Sequence, residues 1–536
     1  MKRSTYIKNS LTPCILFSII TGAITGVWVF AFKFLVSFIV KASDNIYSGI
    51  RQKPLLLPLW LIALSAIAVV VFLILRWAKD CRGGGIPTAV AALRGLTPFK
   101  WIRSVFILPL SAMITFFCGV PLGNEGPCVQ MGTAIGHGTV NILGKNKKAW
   151  RKYIMTGGAC AGFSAATGAP VTGILFAVEE AHRRFSPLLF VTASICVVVS
   201  QAVMELLGAI FGIDSKLFSH LSIDYTLPLK FLWIALVVGF VASLCAIFFT
   251  KSYRAIGDLL RGKLSKVPFA VKILCVFLIT GIVGFASANL VGSGHSLIEL
   301  LLEGKITWYI ILICFAVRAV LVLFANNIGV TGGLFIPTLT FGALIGSLCA
   351  SAFVSFNILD EKYYVLVVVT GMASFLAASS RTPITALTFA VEALCGLSNI
   401  LVIGLGVSVA FLVIEALGIE AFNDTVIEAR AKSNNKGKSA QVFDMHLTVT
   451  EGAFVAGKEI RDVLWPPTCT VLSIEKSKAA PHGTTTFSVG DIIHVHYKTY
   501  YPLITYGELE WLVGVQDGKV TANVHIADEN HQVPEL

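Results

Sequence analysis

Charge is what this sequence has least of. Asp, Glu, Lys and Arg make up 13% of its 536 residues, against about 25% in ordinary soluble domains. Hydrophobic residues reach 55% and the mean hydropathy is +0.79. A soluble fold cannot cover that much apolar surface, and a disordered chain has the opposite balance. Paired cysteines are missing too. The 12 cysteines stand singly, most of them inside apolar runs (Cys118, Cys160, Cys196, Cys245, Cys275, Cys314, Cys349), with no CxxC and no Cys/His ligand spacing. They read as small packing residues, so neither a disulfide scaffold nor a metal site is expected. No HExxH and no GxSxG elbow is present, and His137, His182, His220 and His295 are isolated. An intramembrane enzyme, which would need such a constellation, is therefore not expected, nor is a cofactor. No A-x-A cleavage site follows Met1-Lys2-Arg3, and the apolar stretch runs on to about Val40. That is too long for a signal peptide; it reads as a first membrane helix with a cytoplasmic N-terminus.

What remains is a polytopic membrane protein. Apolar segments recur at about 12–40, 56–78, 103–121, 128–143, 153–178, 186–213, 228–250, 268–291, 306–326, 335–357, 363–378 and 383–417; about 20 apolar residues suffice to span a bilayer. Basic joints lie between them at Lys145–Lys152, Arg183-Arg184 and Lys251–Lys266, the last expected as a cytoplasmic loop under the positive-inside rule. Residues 1–444 hold 36 Lys and Arg against 19 Asp and Glu, whereas residues 445–536 hold six against eleven. The bases are scattered through short loops without an aromatic-studded groove, so no nucleic-acid partner is expected.

The chain repeats itself. Pro170-Val-Thr-Gly-Ile-Leu-Phe-Ala-Val-Glu179 aligns with Pro383-Ile-Thr-Ala-Leu-Thr-Phe-Ala-Val-Glu392 at an offset of 213, and Pro127, Gly132, Ile135 and Gly136 match Pro337, Gly342, Ile345 and Gly346 at 210. Two halves, about 10–220 and 226–425, with Gly/Pro-broken segments in corresponding places, indicate a repeat transporter with its site between them. Three glycine-rich segments interrupt membrane-depth sequence: Gly83-Gly84-Gly85-Ile86-Pro87, Gly123-Asn124-Glu125-Gly126-Pro127 and Gly332-Gly333-Leu334-Phe335-Ile336-Pro337. Irregular backbone at that depth must be buried in protein or line a cavity. Half-helices beginning there would turn free N–H groups and positive dipole ends on one point, which suits a small anion. A cation would want carbonyls and carboxylates instead.

Glu125 lies inside the second segment. An ionisable group at membrane depth is a functional candidate by default, and a carboxylate among N–H donors can mimic the anion and leave when protonated. Glu180 is a second candidate, while Glu179 and Glu392 read as solvated helix ends, the former paired with the following arginines.

These segments resemble the motifs GSGIP, GREGP and GxFxP of the CLC family of chloride channels and proton/chloride antiporters, in order and spacing, across residues 10–430. The resemblance implies an all-α polytopic fold of two inverted repeats with broken helices, and a homodimer in a cell membrane with one anion pathway per subunit. By position, Glu125 matches the external gating glutamate and proton carrier, and Glu180 the internal proton-transfer glutamate. The anion-binding set becomes Gly84, Gly85, Ile86, Gly123, Asn124, Gly126, Leu334 and Phe335, with Phe422 where the family has an anion-contacting tyrosine. Gly84 replaces the family serine and Asn124 its arginine. Losing two hydroxyls and a positive charge should weaken anion attraction, since a hydrogen bond to a charged group is worth about 1.5–3 kcal/mol. Chloride/proton exchange is the expected function. A passive channel of the same fold, and an exchanger of fluoride or another anion, stay open.

Residues 431–441 (AKSNNKGKSAQ) form a polar linker. Beyond it, strand-like runs at His446–Thr450, Thr470–Ile474 and Ile492–Tyr497 indicate a small cytosolic α+β domain over 442–536. Glu451–Lys458 and His482–Asp491 resemble the RCK C-terminal domain, which implies a ligand-sensing or dimer-stabilising module with an unidentified small ligand. His494 and His496 share a strand face and read as surface residues.

Overall fold

The computed structural model describes residues 12–144, 147–214, 216–218, 221, 223, 225–435, 439–466, 468–475, 480–516 and 522–526. Met1-Lys2-Arg3, Lys145, His220 and linker residues 436–438 lie outside them. Sixteen helices pair off as two sets of eight. The first set is α1 (Thr12–Gln52), α2 (Leu57–Trp77), α3 (Ile86–Leu93), α4 (Trp101–Phe117), α5 (Glu125–Leu143), α6 (Arg151–Thr167), α7 (Pro170–Phe176) and α8 (Pro187–Phe211). The second is α9 (Leu232–Arg261), α10 (Phe269–Ala286), α11 (His295–Leu302), α12 (Trp308–Ile328), α13 (Phe335–Ser355), α14 (Tyr364–Ser380), α15 (Pro383–Ala390) and α16 (Ile400–Ala416), followed by α17 (Phe422–Asn434). Proline opens α7, α8 and α15, where a missing N–H costs nothing, and left-handed Gly168, Gly212 and Gly329 close α6, α8 and α12. Among the described residues nine helices are long and apolar enough to cross a membrane.

Several boundaries differ from the apolar spans. Helix α9 runs on to Arg261, so Lys251, Arg254 and Arg261 sit on a helix and only about 262–268 is loop. The span at 153–178 breaks at Gly168, and the one at 383–417 breaks after a π turn. Residues 431–434 of the polar linker continue α17. A continuous apolar run does not record where the backbone turns.

Both α7 and α15 end in five-residue π turns, Ala177–Ala181 and Val391–Cys395. From these turns Glu179 and Glu392 cap each other's repeat. Glu179 accepts from Ile384 N (2.9 Å), Thr385 N (2.6 Å) and Thr385 Oγ1 (2.6 Å) at the start of α15. Glu392 accepts from Val171 N (2.8 Å), Thr172 N (2.8 Å) and Thr172 Oγ1 (2.6 Å) at the start of α7. The solvated-end reading is therefore corrected: orphan N–H groups and a positive dipole end draw each carboxylate across.

The C-terminal part is a sheet of β1 (Gln441–Thr448), β2 (Thr470–Ile474), β3 (Ile492–Thr499) and β4 (Ala522–Ile526), ordered β2-β3-β1-β4 and antiparallel throughout, with α18 (Pro502–Val513). The first strand lies earlier than its expected run. Met445, Leu447, Ile493, Val495 and Tyr497 alternate inward to meet Leu509, Leu512 and Val513.

This part docks on the start of α6. Glu508 pairs with Lys152 (2.8 Å) and Arg151 (2.9 Å), and Tyr153 Oη donates to Asp462 O (2.7 Å) while accepting from Leu464 N (2.8 Å). Burial pushes the Glu508 carboxyl up, but Lys152 and Arg151 outweigh it and hold the group below 4.5. A carboxyl depressed on docking stabilises the docked state above its free pKa, and that contribution is lost as pH falls through the docked value. Glu508→Ala would strand Lys152 in a buried site at a cost of roughly 3–5 kcal/mol. Faster hydrogen exchange around Tyr153 and Leu464 is expected at neutral pH, and acid should produce the same loosening in the unmodified chain.

Candidate functional site

The three glycine-rich segments are laced together at the start of α3, α5 and α13. Gly83 N donates to Gly329 O (2.8 Å), Thr331 Oγ1 to Cys81 O (3.1 Å), and Gly123 and Gly333 exchange both backbone bonds (2.8 and 2.7 Å) as an antiparallel bridge. Gly123 and Gly333 are equivalent under the 210-residue offset, so the repeats meet here. A Cβ on Gly126 would stand 2.7 Å from Gly333 Cα and 3.0 Å from Gly85 Cα; only glycine permits three backbones to come this close. Arg430 of α17 holds the first segment through Gly83 O (3.0 Å) and Thr88 Oγ1.

Two cavities flank this junction. The inner one, about 30 Å³, is lined by Ile86, Pro87, Glu180, Leu334, Phe335, Phe422 and Asn423 among others. That space holds a water or a single small ion. Helices α3, α13 and α17 all begin at its wall, and first-turn N–H groups have no acceptor within their own helix. Phe422 is 2% exposed and packs on Phe249 (5.1 Å) and Tyr253 (5.0 Å). The outer vestibule, about 370 Å³, is lined by Lys33, Asn124, Glu125, Val291, His295 and Ile336 among others. Phe335 faces inward and Ile336 outward, so the first turn of α13 is the partition.

Glu125 opens α5 and is 1% exposed. Its carboxylate faces its own N–H and that of Ile336, and Oε2 lies over Gly123 without a hydrogen-bond partner among the described residues. Glu180 sits in the π turn at the inner cavity, where Asn423 Nδ2 donates to its Oε1 (2.5 Å). Arg94 ties the turn down through Glu180 O (2.9 Å), Ala181 O (3.2 Å) and Asp424 (3.1 Å), and Asp424 also meets Arg183 (2.5 Å). A π turn adds one residue to the helix and re-aims the side chains beyond it; here it turns Glu180 inward and Glu179 toward α15.

Not every expected donor faces the inner cavity. Gly85 N donates to Gln130 Oε1 (2.9 Å) and Gly123 N to Gly333 O. Gly84, Gly85, Gly123 and Gly126 form the framework behind the inner cavity and do not line it; Asn124 lines the vestibule instead. Buried N–H groups seek acceptors, and Gly83, Gly85, Gly123 and Gly333 give theirs to the protein. Ile86, Leu334, Phe335 and Phe422 are the expected site residues at the inner wall. Gln130, Asn423, Arg94, Arg430, Lys33 and Arg318 are absent from the sequence reading. The last two were detectable as single cations inside apolar runs (FAFKFLVSF, ICFAVRAVLVLF).

On the sheet, His446 joins the expected pair: its ring stacks on His494 at 4.5 Å, and His496 Nδ1 meets Asp444 Oδ1 at 2.8 Å. Among the described residues no group of three His, Cys, Asp or Glu could hold a metal.

The family model described as voltage gated chloride channel matches residues 64–415. The H(+)/Cl(-) exchange transporter ClcA of Cronobacter sakazakii is 30% identical over 402 residues, covering 72% of this chain and 82% of its own. That of Salmonella arizonae is 28% identical over 401 residues, with the same coverages of 72% and 82%. Among solved structures, a slow cyanobacterial Cl-/H+ antiporter superposes with a TM-score of 0.71 at 23% identity, covering 79% of this chain and 99% of its own. A CLC-type fluoride/proton antiporter gives 0.63 at 19%, covering 76% and 96%. At these identities the structural likeness is one of fold.

Proposed function

The chain belongs to the voltage gated chloride channel family, and on that premise we propose that it exchanges chloride, or a similar small anion, for protons across a membrane. The observation that carries this reading is the position of Glu125 at the partition between two cavities, with Glu180 at the inner one. Glu125 acts as external gate and proton carrier, and Glu180 passes protons to and from the cytoplasm. The anion rests in the inner cavity against the N–H groups of Ile86, Leu334 and Phe335 at the starts of α3 and α13, with the Phe422 ring beside it. Reconstituted vesicles with a chloride gradient and a pH dye test the exchange: protons should move uphill at the expense of the anion gradient. Anion flux without any proton movement would refute it. Bromide, nitrate and fluoride gradients, run in turn, identify the preferred ion.

A passive pathway is the second reading, favoured by Gly84 and Phe422, which remove the hydroxyl donors that would hold the central anion. A reversal potential that ignores pH would select it. Phe422→Tyr tests the premise directly. One added O–H at the inner cavity, worth about 1.5–3 kcal/mol toward a charged partner, should tighten chloride binding roughly tenfold or more, measured by titration calorimetry.

The remaining organisation belongs to the same proposal. A membrane domain extends to the end of α17 at Asn434, with repeat halves of about 10–220 and 226–425, and a short linker leads to a cytosolic RCK C-terminal-like module that begins with β1 at Gln441. Two subunits each carry their own pathway, both termini face the cytoplasm, and the module answers to a small ligand. Its docking on α6, which leads toward the glycine-rich junction, supports a regulatory role.

A further inference from the structure

We propose that Lys33 of α1 is the cation of the outer mouth, supplying from a membrane helix the positive charge that Asn124 does not bring to the second glycine-rich segment. The inference rests on the exchange reading and names a residue that acts in it.

Lys33 lines the same vestibule as Asn124, Glu125 and Ile336. Its ammonium is held in place by carbonyls at the end of α6, Ala165 O at 3.3 Å and Ala166 O at 2.9 Å. A cation at the negative end of a helix is well placed, and fixing it there turns a flexible side chain into a positioned charge. The charges of Lys33 and Glu125 act on one another across the vestibule. A second cation stands behind the wall. Arg318, 1% exposed in α12, donates to Asn289 O (3.2 Å), Val291 O (3.0 Å) and Gly292 O (2.9 Å), and its Nε has no hydrogen-bond partner among the described residues. Val291, Gly292 and Ser293 continue that loop along the vestibule. Lys41 and Asp44, of opposite sign, line the same vestibule, so Lys33 is the cation left to face the Glu125 carboxylate.

A positive charge in a low-dielectric funnel concentrates anions at its throat. When the Glu125 carboxylate is in place, Lys33 faces it; when that carboxylate is protonated and withdrawn, the same charge faces the arriving anion. Lys33 is thus a specificity determinant for entry from outside, without influence on entry from the cytoplasm.

Two substitutions separate charge from scaffolding. Lys33→Gln keeps an N–H donor for the α6 carbonyls and removes the charge; Lys33→Arg keeps both. In full-length protein reconstituted in vesicles, Lys33→Gln should raise the half-saturating external chloride concentration roughly tenfold, leave the internal one unchanged, and Lys33→Arg should restore it. A Lys33→Gln variant that behaves as the unmodified chain, or a Lys33→Arg variant equally impaired, overturns the proposal. Crystals of the full chain soaked in bromide below half-saturation give a readout independent of transport. An anomalous peak beside Lys33, lost in Lys33→Gln, is expected; a peak that persists, or none beside Lys33 in either, overturns it. If the unmodified chain moves no protons, the exchange reading fails while the bromide result still decides Lys33.

Discussion

Glu125→Gln should leave an anion leak that no longer answers to external pH and carries no protons. The side chain sits at the helix start with N–H groups of its own residue and Ile336 facing the carboxylate. Each charge-assisted bond is worth about 1.5–3 kcal/mol, and a neutral amide of the same shape recovers little of it. Losing even one such contact lowers occupancy of the closing position by about one to two powers of ten. An amide also cannot accept and release a proton between outer solution and inner cavity. The dye assay in vesicles should show anion flux equal to or above that of the unmodified chain and a flat proton trace. Residual uphill proton movement would remove Glu125 from the carrier's role.

Glu180→Gln should separate the same two fluxes from the other side. The residue lines the inner cavity, 8% exposed, on a turn whose backbone is pinned by Arg94. Glutamine fits that position and keeps an acceptor for Asn423 Nδ2, so the fold and the anion path persist. What disappears is the only carboxylate among the described residues lining the inner cavity. Anion flux should remain with its external pH dependence intact, and proton flux should fall to background. Unaltered proton pumping would place the proton's inner route elsewhere. A channel predicts a different pair of outcomes, with neither substitution changing a proton flux that was never there.

Much of this was legible before any coordinates. The glycine-rich segments and the repeat carried the architecture, because Gly and Pro at membrane depth have few uses and their spacing survives in both halves. Pro170 and Pro383 mark helix starts as they stand. Other features had no such punctuation. The π turns leave no mark in an apolar run, so sequence shows Glu179 and Glu392 only as solvated ends and not their reach into the opposite repeat. Gln130 shows how side chains change a backbone expectation. Gly85 has the freedom to aim its N–H at a ligand, but an amide 45 residues away claims it. Lys33 and Arg318 were visible as charges in apolar runs, yet periodicity alone could not tell lipid, partner helix or vestibule.

The crossed carboxylates have a mechanical meaning. Glu179 and Glu392 fasten each repeat to the other at two helix starts, through six short bonds from N–H and O–H donors. Tilting one half against the other would strain these bonds, each worth about 1.5–3 kcal/mol toward a charged acceptor. The frame therefore resists rocking of one half against the other. In the proposed exchange, what travels is light: one acidic side chain swinging about its own torsions, and the ion that trades places with it.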